Sequence, residues 1–476
     1  MPQQTNVATG LPASTGSGGA TSSSPARPGA VVPAAAPSDA TTTATAGAHA
    51  DQPARTGTVP ASGAAGATAT VGTAGQAGKG SAVAGRGSAA AAGSGTSQAA
   101  ASPDCGANLL PVPDDLHKRG PWDVGVKTLK AGRVTLELLY PAQPGSTVGA
   151  VEATYRHSDA LPEPERKKSA QNIAKVGPLG GHLYRDVPID ATHGPYPVVI
   201  FIHGTASMRA ASITTNTHWA SRGFVVLAAD YPGLGLIDQL SSACGYEQTG
   251  AQDVEGDVKA QINALTMATG DFAFLAGHVD MTRLALGGHS QGACMSATLA
   301  NLPNVQVVMP ITGSTQVSPG ADLKSIMWVA GMADSVIGYT DSLIGNVVCP
   351  ANPLPATSNM DAYNASPGLP MVKKRIAGIR GGGHLSVSDL CQKNSLGNTD
   401  LEQMRKDNVC GIDSAVIIGL PALFDCGTID WTKGVDAVNY LTTAALEETL
   451  QCRDRSMQLA AVKENVPELG DYREQK

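Results

Sequence analysis

Arg283-Leu-Ala-Leu-Gly-Gly-His-Ser-Gln-Gly-Ala293 is the stretch on which the reading of this chain turns. A short apolar run, Leu284 to Leu286, leads into Gly288-His289-Ser290-Gln291-Gly292, a G-x-S-x-G that falls between a strand and the start of a helix. In that setting the pattern is a nucleophile elbow. Ser290 is held on a strained turn that the flanking glycines permit, because no Cβ collides with the neighbouring strand and helix. Five residues occur by chance, so the specificity lies in the order of the surroundings: VVIFIHG at 198–204, then FVVLAADYPGLG at 224–235, then this stretch.

Outward from the elbow the chain repeats the same grammar. Val198–Ile202, Phe224–Ala228, Leu284–Leu286, Val305–Met309, Ile326–Ala330 and Arg375–Ile379 are continuous β-rich apolar runs, as strands buried on both faces require. Val134–Tyr140 alternates instead and reads as an edge or outer strand. Between the runs, helices are predicted over Met208–Arg222 and Gln252–Ala268, where Val254, Val258, Ile262 and Leu265 form one stripe, and over Val435–Leu450, which closes the chain. The fold class is α/β, with a mostly parallel central sheet flanked by helices.

Open parallel sheets place their chemistry outside the carboxyl ends of the strands. A serine is a poor nucleophile without a base, and the only histidine after Ser290 is His384, in Arg380-Gly381-Gly382-Gly383-His384-Leu385 directly after a strand. The three glycines predict a flexible, close-approaching loop that can swing the imidazole over the serine. Asp322, Asp334, Asp341 and Asp361 lie between the two, and only Asp334 stands just past a strand, in IMWVAGMAD, so it is the expected acid, with Asp361 as fallback. An oxyanion hole takes one N–H from the residue after the nucleophile, Gln291, and one from the loop after an earlier strand. Thr205 is the expected second donor, and Ala206 beside it is an expected substrate contact. His203, in the same loop, is expected to orient backbone rather than to transfer protons.

Composition bounds the rest. Met1 to Asp104 holds no Phe, Tyr, Trp, Ile or Glu and a single Leu, so it has too little apolar area to offset the entropy of ordering and is expected to be a disordered tail or linker. Residues 105–476 form the folded domain. Arg27, Arg55, Lys79 and Arg86 against Asp39, Asp51 and Asp104 give the tail +1, leaving −8 of the total −7 for the domain. No basic face is available for nucleic acid, and no apolar run is long enough to span a membrane. The first 30 residues lack the charged start and apolar stretch of a signal peptide. Against this, eight cysteines without a CxxC pair, three of them (Cys391, Cys410, Cys426) in a loop-rich region, suit disulfides, with buried free thiols as the alternative. With the long linker they favour an extracytoplasmic location.

With these residues in place, the chain resembles the α/β-hydrolase superfamily, and within it the serine esterases that include platelet-activating factor acetylhydrolases and dienelactone-hydrolase-like proteins. GPWDVG at 120–125, GPYPVVIFIHGTASMR, WASRGFVVLAADYPG, GGHSQGA, the Asp334 segment, GGGHLSVSDLC and the terminal DWTKGVDAVNYLTTAALEETL carry the likeness over much of residues 120–450. The resemblance implies the α/β-hydrolase fold and a Cys391–Cys426 pairing. Dienelactone hydrolases proper use a cysteine nucleophile, so thiolate chemistry is not implied here. Polyester hydrolases of the same superfamily carry an aromatic clamp that Pro310-Ile311-Thr312-Gly313 lacks, so polymer hydrolysis ranks low. Between Val305 and Ile326 there is no room for a large cap, which predicts a fairly open site. Its expected cover is the irregular stretch 335–370, whose Val336, Ile337 and Tyr339 either line an acyl pocket or belong to a plain connection.

The expected activity is hydrolysis of a small-molecule or lipid carboxylic ester through Ser290, Asp334 and His384, by a monomer, with no metal or other cofactor. Acyl transfer on the same fold is the alternative within the chemistry, and a catalytically silent binding module on a tether is the alternative outside it.

Overall fold

The computed structural model describes residue 105 and residues 108–341, 357–412 and 424–475. The expected disorder of 1–104 lies outside the described residues. Within them, ten strands form one mixed, mostly parallel sheet in the order β10-β9-β8-β7-β6-β4-β5-β2-β1-β3. The apolar runs supply its centre: β4 (Tyr196–Ile202), β5 (Val225–Asp230), β6 (Val279–His289), β7 (Val305–Ile311), β8 (Ser325–Gly331) and β9 (Lys373–Ile379) are all mutually parallel.

Alternate residues of these strands enter two cores. Val198, Ile200, Leu227, Leu286 and Trp328 pack with Val254, Val258 and Leu265 of the helix Val254–Met267. Val199, Phe201, Val226, Ala285 and Met309 pack on the other face, against Trp219 of the helix Ile213–Ser221 and Val438, Leu441 and Ala445 of Trp431–Leu450. Burial of both sheet faces is what the unbroken apolar runs demand. Asp253 caps Val254–Met267 by accepting from the Gly256 amide, which explains why that helix begins there.

Two expectations need correction. β2 (Val134–Pro141) is not an edge: it lies between β5 and β1 (Val124–Ala131), antiparallel to both, and only one of its residues is less than fully buried. The helix Trp431–Leu450 does not close the chain, which continues through two short helices into β10 (Leu469–Gln475), antiparallel to β9 at the sheet edge. β10 has the sequence LGDYREQ, too polar to register as a buried strand, because an edge strand need bury only part of one face. β3 (Leu183–Arg185), at the other edge, was likewise too short to signal.

Three disulfides are described: Cys105–Cys452, Cys244–Cys410 and the Cys391–Cys426 pair implied by the resemblance. No helix among the described residues is long and apolar enough to cross a membrane.

Strand order fixes where the chemistry can sit. The chain passes from β4 to β5 on one side and then returns to lay β6 on the other side of β4. That reversal opens a crevice at the carboxyl ends of β4 and β6. Thr205 follows β4 and Ser290 follows β6.

Candidate active site

Ser290 has φ +56° and ψ −122°, a backbone state rarely adopted by a residue with a side chain. Its neighbours explain how the turn is held. A Cβ on Gly288 would stand 2.2 Å from the Gly292 carbonyl oxygen, and one on Gly292 would stand 2.0 Å from that of Ile202, so both motif glycines are required by close approach. The Ser290 amide donates to the Ile311 carbonyl at 3.0 Å, tying the elbow to the end of β7. The helix Gln291–Thr298 starts immediately afterwards, so the Gln291 amide is one of the first-turn groups without an intrahelical acceptor, at the positive end of the helix dipole.

Asp334 lies three residues past β8 and His384 five past β9, and the structure brings both to Ser290. The Ser290 hydroxyl donates to His384 Nε2 at 2.9 Å, and His384 Nδ1–H donates to Asp334 Oδ2 at 2.9 Å. The carboxylate can only accept, which sets the imidazole tautomer. Its other oxygen, Oδ1, accepts from the amides of Val336 and Ile337 at 2.8 and 2.9 Å, so it is held from both sides. The alternatives sit elsewhere: Asp361 is in the first turn of the helix Asn359–Ala365, and Asp322 caps the Asn304 amide.

The loop bearing His384 makes the close approach expected of its three glycines, and hydrogen bonds pin it. Gly381 and Gly382 carbonyls accept from Thr428, Ile429 and Ala333. A Cβ on Gly383 would meet Asp425 Oδ1 at 2.3 Å, so glycine here serves close packing. Asp425 itself was not found by sequence reasoning. Its Oδ2 accepts from Ser335 N and Oγ, both at 3.0 Å, and from the His384 amide at 3.3 Å, so one carboxylate clasps the loop after Asp334 to the loop of His384. His289, inside the motif, does a similar service: its Nε2–H donates to the His384 carbonyl at 2.8 Å. Burial, reinforced by the nearby His384, lowers the His289 pKa to about 3, so the ring stays neutral.

Thr205 and Ala206 both line the cavity beside Ser290, but only one has a free amide. Ala206 N–H donates to the Leu234 carbonyl at 2.9 Å, whereas no acceptor for the Thr205 or Gln291 amide is found among the described residues. The Thr205 hydroxyl donates to the Gln291 side-chain carbonyl, linking the two donor positions. His203 is structural, as expected: Nδ1–H donates to the Gly204 carbonyl at 2.7 Å and Nε2 accepts the Tyr231 amide at 3.3 Å.

Ser290 and His384 are themselves buried, 6% and 1% exposed. A cavity of about 20 Å³ lies against them, walled by Leu236, Leu385, Leu390, Leu401, Ile412 and Phe424. Val336, Ile337 and Tyr339 are not among its walls. The first two serve Asp334 through their amides, and Tyr339 turns into the core below the sheet, where its hydroxyl donates to Asp471 at 3.0 Å. Part of the expected cover, 342–356, falls outside the described residues. Among the described ones the roof is a separate apolar cluster built from the helix Leu236–Cys244 and the segment 385–412. Cys244–Cys410 ties its two sides together, and Cys391–Cys426 ties the turn at Leu390 to the strand of chain at Phe424. Leu385 and Leu390, in HLSVSDLC, were visible in the sequence as apolar residues next to His384, but nothing placed Leu401 or Ile412 there.

No protein-family model matches this chain, and no curated protein matches it either.

Proposed function

We propose that the chain is a serine hydrolase of carboxylic esters with the α/β-hydrolase fold. The observation that carries this reading is the unbroken hydrogen-bond relay from Ser290 Oγ through His384 to Asp334, set at the carboxyl ends of β6, β9 and β8. Ser290 Oγ attacks the ester carbonyl while His384 Nε2 takes its proton, and Asp334 stabilises the imidazolium that forms. The negative oxygen is held by the Thr205 and Gln291 amides, a donor pair of which each member is worth roughly 2.7 to 4 kcal/mol of barrier. His384 then gives its proton to the departing alcohol, and water returns through the same base to release the acid. The relay needs no group beyond the chain's own side chains and amides.

The narrow apolar cavity beside Ser290 supports a short acyl chain. The three disulfides support an extracytoplasmic location, where such bonds persist. The test is hydrolysis of p-nitrophenyl esters from acetate to palmitate by the full chain and its Ser290→Ala variant. Turnover strongest on acetate and butyrate, lost by several orders of magnitude in the variant, is the expected result. Equal rates in both proteins would overturn the reading. Acyl transfer is separated by adding a competing alcohol and looking for a second ester among the products.

A further inference from the structure

The space against Ser290 is small. At about 20 Å³ it has room for one water-sized or methyl-sized group, so a longer acyl chain fits beneath the roof only if the roof is displaced. What holds the roof in place therefore decides the acyl length. Two of its apolar walls are fixed from the sheet. The Leu236 amide donates to the Ser207 carbonyl at 2.8 Å, and Asp389, beside Leu390, donates its amide to the Ala211 carbonyl and accepts from the Thr214 amide, both at 2.9 Å. Leu401 and Ile412 are held in another way.

Their support is a third piece of chain, 156–173, which lies between β2 and β3. It is rooted in the sheet: at its base Tyr155 and Val176 exchange backbone hydrogen bonds, and the Tyr155 hydroxyl donates to Glu137 Oε2 of β2 at 3.1 Å. Leu161 and Ile173 pack into the apolar cluster of the roof, yet no residue of 156–173 lines the cavity. Polar ties complete the brace. His157 Nδ1 stands 3.0 Å from Asp400 Oδ2, next to Leu401, with both side chains buried. Asp407 accepts from the Ser169 hydroxyl and the Asn172 side-chain amide, both at 3.0 Å. Glu165, only 2% exposed, reaches both sides of the roof at once. Its Oε2 accepts the Cys410 amide at 2.7 Å, two residues before Ile412, and its Oε1 accepts the Tyr246 hydroxyl at 2.8 Å, two residues past the helix Leu236–Cys244. Lys168 pairs with the same carboxylate at 2.7 Å and offsets its charge. One buried carboxylate thus joins both ends of the Cys244–Cys410 tie to the brace, through hydrogen bonds that its charge strengthens.

We infer that Glu165 is a positioning residue for acyl-chain selectivity: by bracing both sides of the roof from outside the cavity, it holds Leu236 and Ile412 close enough to Ser290 that acetyl esters are accepted and longer acyl esters are refused. The inference rests on the hydrolase reading.

The experiment holds the alcohol constant and varies the acyl chain. The full chain and its variants are assayed on p-nitrophenyl acetate, butyrate, hexanoate and octanoate, and the readout is kcat/KM on hexanoate divided by that on acetate. In the wild type this ratio is expected to be about a tenth or less. Glu165→Ala is expected to raise it about tenfold, mainly through KM on hexanoate, with kcat on acetate within about threefold of wild type because Ser290, His384 and Asp334 are untouched. Glu165→Gln keeps an oxygen for the Cys410 amide and an NH2 that can donate to the Tyr246 hydroxyl, so it is expected to retain the wild-type ratio. Tyr246→Phe, which removes one hydroxyl from one side of the brace, is expected to shift the ratio in the same direction as Glu165→Ala but less. Because each ratio is taken within one protein, partial misfolding of a variant does not move it, and Tyr246→Phe decides the matter if Glu165→Ala does not fold. Variants that lose turnover equally on every chain length, or a wild type that favours hexanoate over acetate, would overturn the inference and leave the hydrolase reading standing. Absence of wild-type turnover on every ester would remove the hydrolase reading itself.

Discussion

Asp334→Asn isolates the contribution of a single proton position. In the native site, Asp334 Oδ1 accepts two amides, from Val336 and Ile337, while Oδ2 accepts His384 Nδ1–H. An asparagine fits only one way round: its carbonyl oxygen must face the two amides, since an NH2 there would set donor against donor. Its NH2 then faces His384 Nδ1. The imidazole can keep a hydrogen bond only by moving its proton to Nε2, where it points at Ser290 and can no longer accept the hydroxyl proton. A wrong tautomer of this kind costs about 10⁴ in kcat, which is about 5.5 kcal/mol of barrier. Stability should hardly move, because both amides stay bonded: the melting temperature is expected within roughly 4 °C of wild type. Asp334→Ala provides the contrast, with the same loss of activity plus about 1 to 3 kcal/mol of destabilisation for each amide left without its acceptor. The assay is kcat and KM on p-nitrophenyl acetate beside thermal melts of all three proteins. An asparagine variant retaining a tenth or more of wild-type kcat would refute this account of Asp334.

Other expectations follow from neighbouring contacts. Asp425→Ala removes the clasp between the loops of Asp334 and His384 and should lower kcat by up to about 10²-fold with KM little changed, measured on the same ester. Replacing Cys391 and Cys426 together by serine releases a bond spanning 35 residues; denaturant midpoints should report a loss of up to roughly 4 kcal/mol, with short-acyl selectivity reduced as the roof loosens. Stability should fall on acidification from pH 6.5 towards pH 3. His203, His218 and His289 are buried with lowered pKa values, so below the ordinary pKa near 6.5 the unfolded chain binds protons that the folded one refuses. His289, at about 3, contributes at most about 5 kcal/mol by itself. Asp389, raised by burial to about 6, acts in the opposite sense, stabilising at acid pH and losing that contribution between about pH 4 and 6. Three imidazoles against one carboxyl leave a net loss, and urea midpoints that stay flat between pH 7 and 5 would contradict it.

The central sheet was legible because a strand buried on both faces has no choice but a continuous apolar run, and the elbow because its glycines are imposed by contacts within a few residues. Ser290, Asp334 and His384 could be placed from chain order and strand ends. The edge strand Leu469–Gln475 could not, since its burial depends on a partner, β9, nearly a hundred residues away. The same limit applies to the roof. Val336, Ile337 and Tyr339 looked like pocket residues because they follow Asp334, yet their positions are set by the Asp334 carboxylate and by Asp471, neither of which spacing can reveal. Leu401 and Ile412 reach the site through Cys244–Cys410, a tie across 166 residues. Asp425 acts through hydrogen bonds made only once two loops meet.

The most direct test is covalent labelling with a fluorophosphonate, which reports the nucleophile without assuming a substrate. The account predicts one adduct per chain, on the peptide that contains Ser290, absent in Ser290→Ala and strongly slowed in His384→Ala. An unlabelled chain, or label carried with equal ease by another serine in the Ser290→Ala protein, would contradict the claim that Ser290 is an activated nucleophile.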